Sequence, residues 1–127
     1  PFVATHSNAD IVNKEEGRKR NLTDEQIKII GEIGGLVGLN FYDSFLDDEN
    51  AAGTDALLRQ IEHFNALGYE NILAFGSDFD GIGGKLEMGD CSKLPLLADA
   101  LRKEGFTEDE VEQIFFRNAQ RFFEENL

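Results

Sequence analysis

The sequence holds a single cysteine, Cys91, so no internal disulfide can form and the framework is not that of a small secreted scaffold. Cys91 also lacks a neighbouring histidine or a CxxC partner, the usual settings of a reactive thiol. Basic residues are scarce: 12 Lys and Arg stand against 25 Asp and Glu, a formal net charge of −13. A phosphate backbone needs a basic face, so a nucleic-acid partner is excluded, and an anionic membrane surface would repel the chain. No apolar run approaches the roughly 20 residues of a membrane span, and no signal-peptide pattern appears. There is no Walker A loop and no Gly-x-Ser-x-Gly elbow. Gly81-Ile82-Gly83-Gly84 lacks the dinucleotide-binding spacing. Binding of metal cations remains open to so acidic a chain.

At 127 residues and 41% hydrophobic content the chain has the size of one domain with a core. It starts at Pro1, runs at once into strand-like Phe2-Val3-Ala4-Thr5, and reads as cut from something longer. The patterning predicts strands over residues 1–7, 36–39 and 72–75. Residues 9–22 read as a polar loop, and Asp47-Asp48-Glu49-Asn50 as a turn-rich acidic stretch. Thr23 and Gln26 form a capping box ahead of the stripe Ile27, Ile30, Ile33, and Gly34-Gly35 ends that helix. A second helix opens at Thr54 and Asp55, carries Leu57, Leu58, Ile61, Phe64 and Leu67 on its inner face, and stops at Gly68. A third covers residues 92–104. A last one, capped by Thr107, runs to about residue 125 with Val111, Ile114, Phe115, Ala119, Phe122 and Phe123 as its apolar stripe. The order strand, helix, strand, helix, strand, helix, helix, with strands at roughly 35-residue intervals, predicts a parallel sheet with packed helices.

All three strands end on polar groups: His6-Ser7-Asn8, then Asn40 and Tyr42, then Asp78 and Asp80. In a parallel sheet these ends share one face, the site of a (β/α) barrel or of a doubly wound sheet. Asp78 and Asp80 either turn the loop or build a site. His6 is open to three readings: metal ligand, general base or hydrogen-bonded structural residue. An imidazole with carboxylates on the same edge is a set that suits Zn²⁺ or a similar ion. His63 lies inside the second helix and reads as a helix-surface or packing residue. Arg18, Lys19 and Arg20 form a solvated cluster, or one of them clamps a substrate carboxylate.

Four ordered blocks then carry a resemblance. Val3-Ala4-Thr5-His6-Ser7-Asn8, Arg20-Asn21-Leu22-Thr23-Asp24-Glu25-Gln26, Gly38-Leu39-Asn40-Phe41-Tyr42 and Gly76-Ser77-Asp78-Phe79-Asp80-Gly81 are similar to the renal (membrane) dipeptidase family, zinc metallopeptidases of the amidohydrolase superfamily. The resemblance extends to Asn118-Ala119-Gln120-Arg121-Phe122-Phe123. It implies a (β/α)8 TIM barrel with two zinc ions at its carboxyl face and hydrolysis of dipeptides to free amino acids. It also implies that residues 1–127 form a single partial domain, the C-terminal portion of that barrel with about three parallel strands. By position, His6 resembles the last histidine ligand of the metal pair. Arg20 resembles the residue that holds the substrate's C-terminal carboxylate, with Arg18 as the alternative. Asp78 resembles the acid that binds substrate and handles protons during attack on the peptide bond. The family's other ligands, an early His-x-Asp pair, a bridging Glu and an earlier His, have no counterpart among these residues.

The expectation is therefore a zinc-dependent dipeptidase whose present portion is inactive alone and associates, with itself or with the rest of the barrel. The rival expectation is a small non-enzymatic α/β domain that binds a ligand or partner at the same edge. The lone cysteine leans towards a cytoplasmic location.

Overall fold

The computed structural model describes residues 1–13, 15–46, 53–81 and 90–127; the acidic stretch 47–50 and the glycines Gly83 and Gly84 lie outside the described residues. Three strands, β1 (Val3–Ala4), β2 (Leu36–Leu39) and β3 (Leu73–Phe75), pair in parallel in the order β1-β2-β3. Val3 is in register with Leu36, and Val37 with Leu73. β2 is buried at every residue, as a central parallel strand covered on both faces should be. The helices are α1 (Glu15–Arg20), α2 (Asp24–Glu32), α3 (Asp43–Leu46), α4 (Thr54–Leu67), α5 (Leu94–Lys103), α6 (Glu108–Glu112) and α7 (Asn118–Asn126).

One sheet face presents Val37, Leu39 and Leu73 to the main core, where Ile27 and Ile30 of α2, Leu57, Ile61 and Phe64 of α4, and Leu97 and Leu101 of α5 are buried with them. Phe41, just beyond β2, meets Phe75 and Phe79 edge to face at 5.7 and 5.3 Å, a favoured aromatic geometry. On the opposite face Leu36 and Ala74 pack with Phe122 of α7, and Val3 and Ala119 border them. The last helix thus covers part of the sheet face opposite the main core.

Both threonine caps form as full boxes. Thr23 accepts from the Gln26 N–H and Gln26 reaches back, and Thr107 and Glu110 repeat the arrangement at α6. Gly68, at φ 82°, provides the left-handed end of α4. Arg102 forks onto both carboxylate oxygens of Glu108 at 2.9 Å and ties α5 to α6. That guanidinium holds the Glu108 carboxyl below its usual range.

Four local expectations change. Residues 15–20 are helical rather than loop, because α1 is short and gains its order from packing on α3. The first strand regularises only at Val3–Ala4, yet its pairing with β2 extends from the Phe2 carbonyl to the Ser7 N–H. Between them the Thr5 carbonyl tips over the sheet, where a Cβ on either Gly38 or Gly76 would strike it. Ile72 closes a 3-10 turn, Glu70–Ile72, ahead of β3. The last helix carries a π turn, Gln113–Arg117, between α6 and α7. Alongside that turn Phe115 stacks edge to face on Phe75 at 4.9 Å, and buried Asn118 donates to the carbonyls of Glu70 and Leu73, both at 2.9 Å.

Candidate functional site

Where the chain leaves β1, half-buried His6 sits with Nδ1 2.7 Å from the Thr5 hydroxyl oxygen. A proton on Nδ1, donated to that hydroxyl, leaves Nε2 with its lone pair for a cation, the usual way an outer hydrogen bond fixes a ligating imidazole. Among the described residues, no three His, Cys, Asp or Glu side chains come together to hold a metal ion. The donor chemistry of His6 fits a metal as one ligand of a set, and the described residues do not complete such a set.

Asp78 follows β3 with φ 65°, the one non-glycine residue with positive φ among those described. Asp and Asn tolerate this region better than other side chains, and such backbone outliers concentrate at functional sites. The Gly81 N–H donates to the Asp78 carbonyl at 2.9 Å and closes the turn. A Cβ on Gly81 would strike the Asp78 carboxylate at Oδ1. Asp80 is exposed and lies within this turn.

The carboxylate of Asp78 is anchored from β2. Nδ2 of Asn40 donates to Asp78 Oδ2 at 3.2 Å, while Asn40 Oδ1 accepts the Tyr42 N–H at 2.7 Å. Asn40 is completely buried, and its own backbone is gripped by Asn8: the Asn40 N–H donates to Asn8 Oδ1 at 2.9 Å, and Asn8 Nδ2 donates to the Asn40 carbonyl at 3.0 Å. The next residue, Ala9, is gripped in the same manner by Gln60 of α4 at 2.8 and 3.2 Å. Asn8, Asn40 and Gln60 are all 0% exposed, so three neutral amides link α4, the loop after β1 and the end of β2 to Asp78. Fully satisfied networks of this kind rigidify a core at little electrostatic cost.

Arg20 ends α1 with its guanidinium 5.5 Å from the Phe45 ring centroid, within cation–π range. Phe45 in turn meets Tyr42 edge to face at 4.8 Å, which links Arg20 to the loop after β2. Arg18 makes no such stacking contact among the described residues. His63 is a packing residue: its Nε2 lies 2.7 Å from Asp24 Oδ1 and joins α4 to α2. Cys91 is exposed at the start of a 3-10 turn.

His6 follows β1 and Asp78 follows β3, on either side of the strand that carries Asn40. Sequence reading named Asn8, Asn40 and Tyr42 only as polar strand ends and passed over Gln60. Gln60 had a signal: it is three residues after Leu57 on the inner, apolar face of α4.

A family model for membrane dipeptidase, peptidase family M19, matches residues 1–126. A protein encoded 5′ of pqqA in Klebsiella pneumoniae is 38% identical over 125 residues, which are 95% of this chain and 45% of that protein. The dipeptidase ataJ of Aspergillus terreus is 30% identical over 125 residues, 95% of this chain and 30% of its own. Among solved structures, dipeptidase AC, a metallopeptidase of family M19, superposes with a TM-score of 0.86 at 37% identity, covering 98% of this chain and 37% of that one. A metallopeptidase from Rhodobacter sphaeroides, liganded with a phosphinate mimic of the dipeptide L-Ala-D-Ala, also gives 0.86, at 35% identity, covering 100% of this chain and 36% of that one. The chain spans less than half the length of these relatives. Its three parallel strands and flanking helices are a portion of the TIM-barrel fold these metallopeptidases share. No helix among the described residues is long and apolar enough to cross a membrane. The chain belongs to peptidase family M19, the membrane dipeptidases.

Proposed function

We propose that these residues serve a zinc-dependent dipeptidase, as the carboxy-terminal βα units of its (β/α)8 barrel, with other strands supplying most of the ligands to two zinc ions. The observation that carries the reading is Asp78, a left-handed aspartate at the carboxyl end of a strand, anchored by a buried amide, in a chain of the dipeptidase family. His6 Nε2 is one metal ligand. Arg20 matches a substrate's terminal carboxylate with its planar fork, and its seat on Phe45 limits the freedom lost on binding. Asp78 takes a proton from the attacking water as the new C–O bond forms, and returns it to the amine as the C–N bond breaks. A divalent cation bound beside His6 would make water nucleophilic near neutral pH.

On this reading the 127 residues alone carry one ligand and do not turn over. The outer edges of β1 and β3 accept the remaining barrel strands, and without them would pair with a second copy. Chelation of the full-length protein is expected to abolish release of free amino acids from a dipeptide, and added zinc to restore it. Equal turnover by metal-free and zinc-loaded protein would contradict the reading.

A further inference from the structure

We propose that Asn40 is a positioning residue for Asp78, fixing which carboxylate oxygen does the proton transfer; this rests on the role of Asp78 proposed above. The Tyr42 backbone N–H can only donate, so the atom it meets on Asn40 must be Oδ1. The atom facing Asp78 is then Nδ2, a donor, at 3.2 Å from Oδ2. Reversing the amide would set its oxygen against a carboxylate and leave the Tyr42 N–H facing the amide NH2, donor against donor. Because Asn40 is wholly buried, no water is at hand to relieve either fault. Asn8 removes the remaining freedom by holding Asn40's N–H and carbonyl as a neighbouring strand would.

The result is a carboxylate with two unlike oxygens. Oδ2 is engaged by Asn40, and Oδ1 lies over Gly81, where any side chain would collide with it. Gly81 does not have a positive φ, so its lack of a side chain answers a need for space rather than for backbone freedom. Oδ1 is therefore the oxygen that exchanges the proton, and the amide donor keeps it aimed.

The test uses the zinc-loaded full-length enzyme. Asn40→Asp keeps an acceptor for Tyr42 but replaces the donor to Asp78 with an oxygen. It is expected to lower kcat on a dipeptide by about 10- to 100-fold, the scale of loss from misplacing a reacting group, with KM and zinc content unchanged. In an Asp78→Asn background the same change is expected to cost less than about 3-fold, because the group it aims is already disabled. Gly81→Ala offers a second route that leaves Asn40 untouched, and is expected to lower kcat by about 10-fold at constant KM. Wild-type kcat in Asn40→Asp, or an equal loss in both backgrounds, overturns the positioning role. If Asn40→Asp does not fold, an unchanged kcat in Gly81→Ala overturns it. Full activity in Asp78→Asn alone would instead overturn the role of Asp78, and the positioning role with it.

Discussion

Asp78→Asn in the zinc-loaded full-length enzyme is expected to lower kcat on dipeptides by about 100- to 10,000-fold, the usual contribution of a positioned acid or base. Bound zinc is expected to stay at the wild-type level. The substitution is close to silent for the fold. Asparagine tolerates the left-handed region that Asp78 occupies at φ 65°. Its side-chain oxygen can still accept from Asn40 Nδ2 as Asp78 Oδ2 does. What disappears is the carboxylate that takes and returns a proton. Steady-state kinetics beside metal analysis separate the outcomes: lost turnover with retained metal is expected, whereas retained turnover would remove Asp78 from the chemistry.

The second large effect is structural and reaches the site indirectly. Gly76→Ala places a methyl group on the Thr5 carbonyl, with the Gly38 Cα 3.2 Å away. Neither obstacle is a side chain that can rotate aside. Gly76 itself is pinned, since its N–H donates to the Leu39 carbonyl at 2.9 Å. Relief must come from moving the turn at Thr5 and His6, so overpacking of about 1–3 kcal/mol is expected. Thermal unfolding of the full-length protein should report it as a fall of about 2–12 °C, accompanied by weaker zinc retention because His6 shifts. An unchanged midpoint and unchanged zinc would mean that the close approach of β1 to Gly76 is not a constraint on the fold.

The elements legible in sequence are those whose causes are local. The capping box at Thr23 depends on residues three apart, and the burial of β2 follows from an unbroken apolar run. The positions of His6 and Asp78 beyond their strands came from the same apolar-to-polar transitions. The features that escaped have partners far along the chain. Asn8 grips Asn40 across 32 residues and Gln60 grips Ala9 across 51, so the partners are invisible locally, although the place of Gln60 on the apolar face of α4 does signal its burial. The α1 helix escaped because six charged and glycine residues have no apolar period, and its order comes from contact with α3. The π turn escaped because the apolar spacing of residues 111–123 suits an uninterrupted helix; the turn registers instead in how Phe115 and Asn118 meet β3.

These long-range contacts also explain how a site can be assembled from loops without being built of charge. The proposed reactive groups are the carboxylate of Asp78 and the imidazole of His6, and the carboxylate is held through the neutral amides of Asn40 and Asn8. Neutral donors can be buried and satisfied, which fixes geometry without adding a competing acid or base.

The most direct test of the site is the zinc stoichiometry of the full-length protein with His6→Ala, read by elemental analysis beside dipeptide hydrolysis. The expected result is the loss of about one metal equivalent per protein, since removing one of a few ligands cripples a metal site, together with loss of turnover. Wild-type zinc content with wild-type activity would contradict the placement of the metal centre at this edge of the sheet.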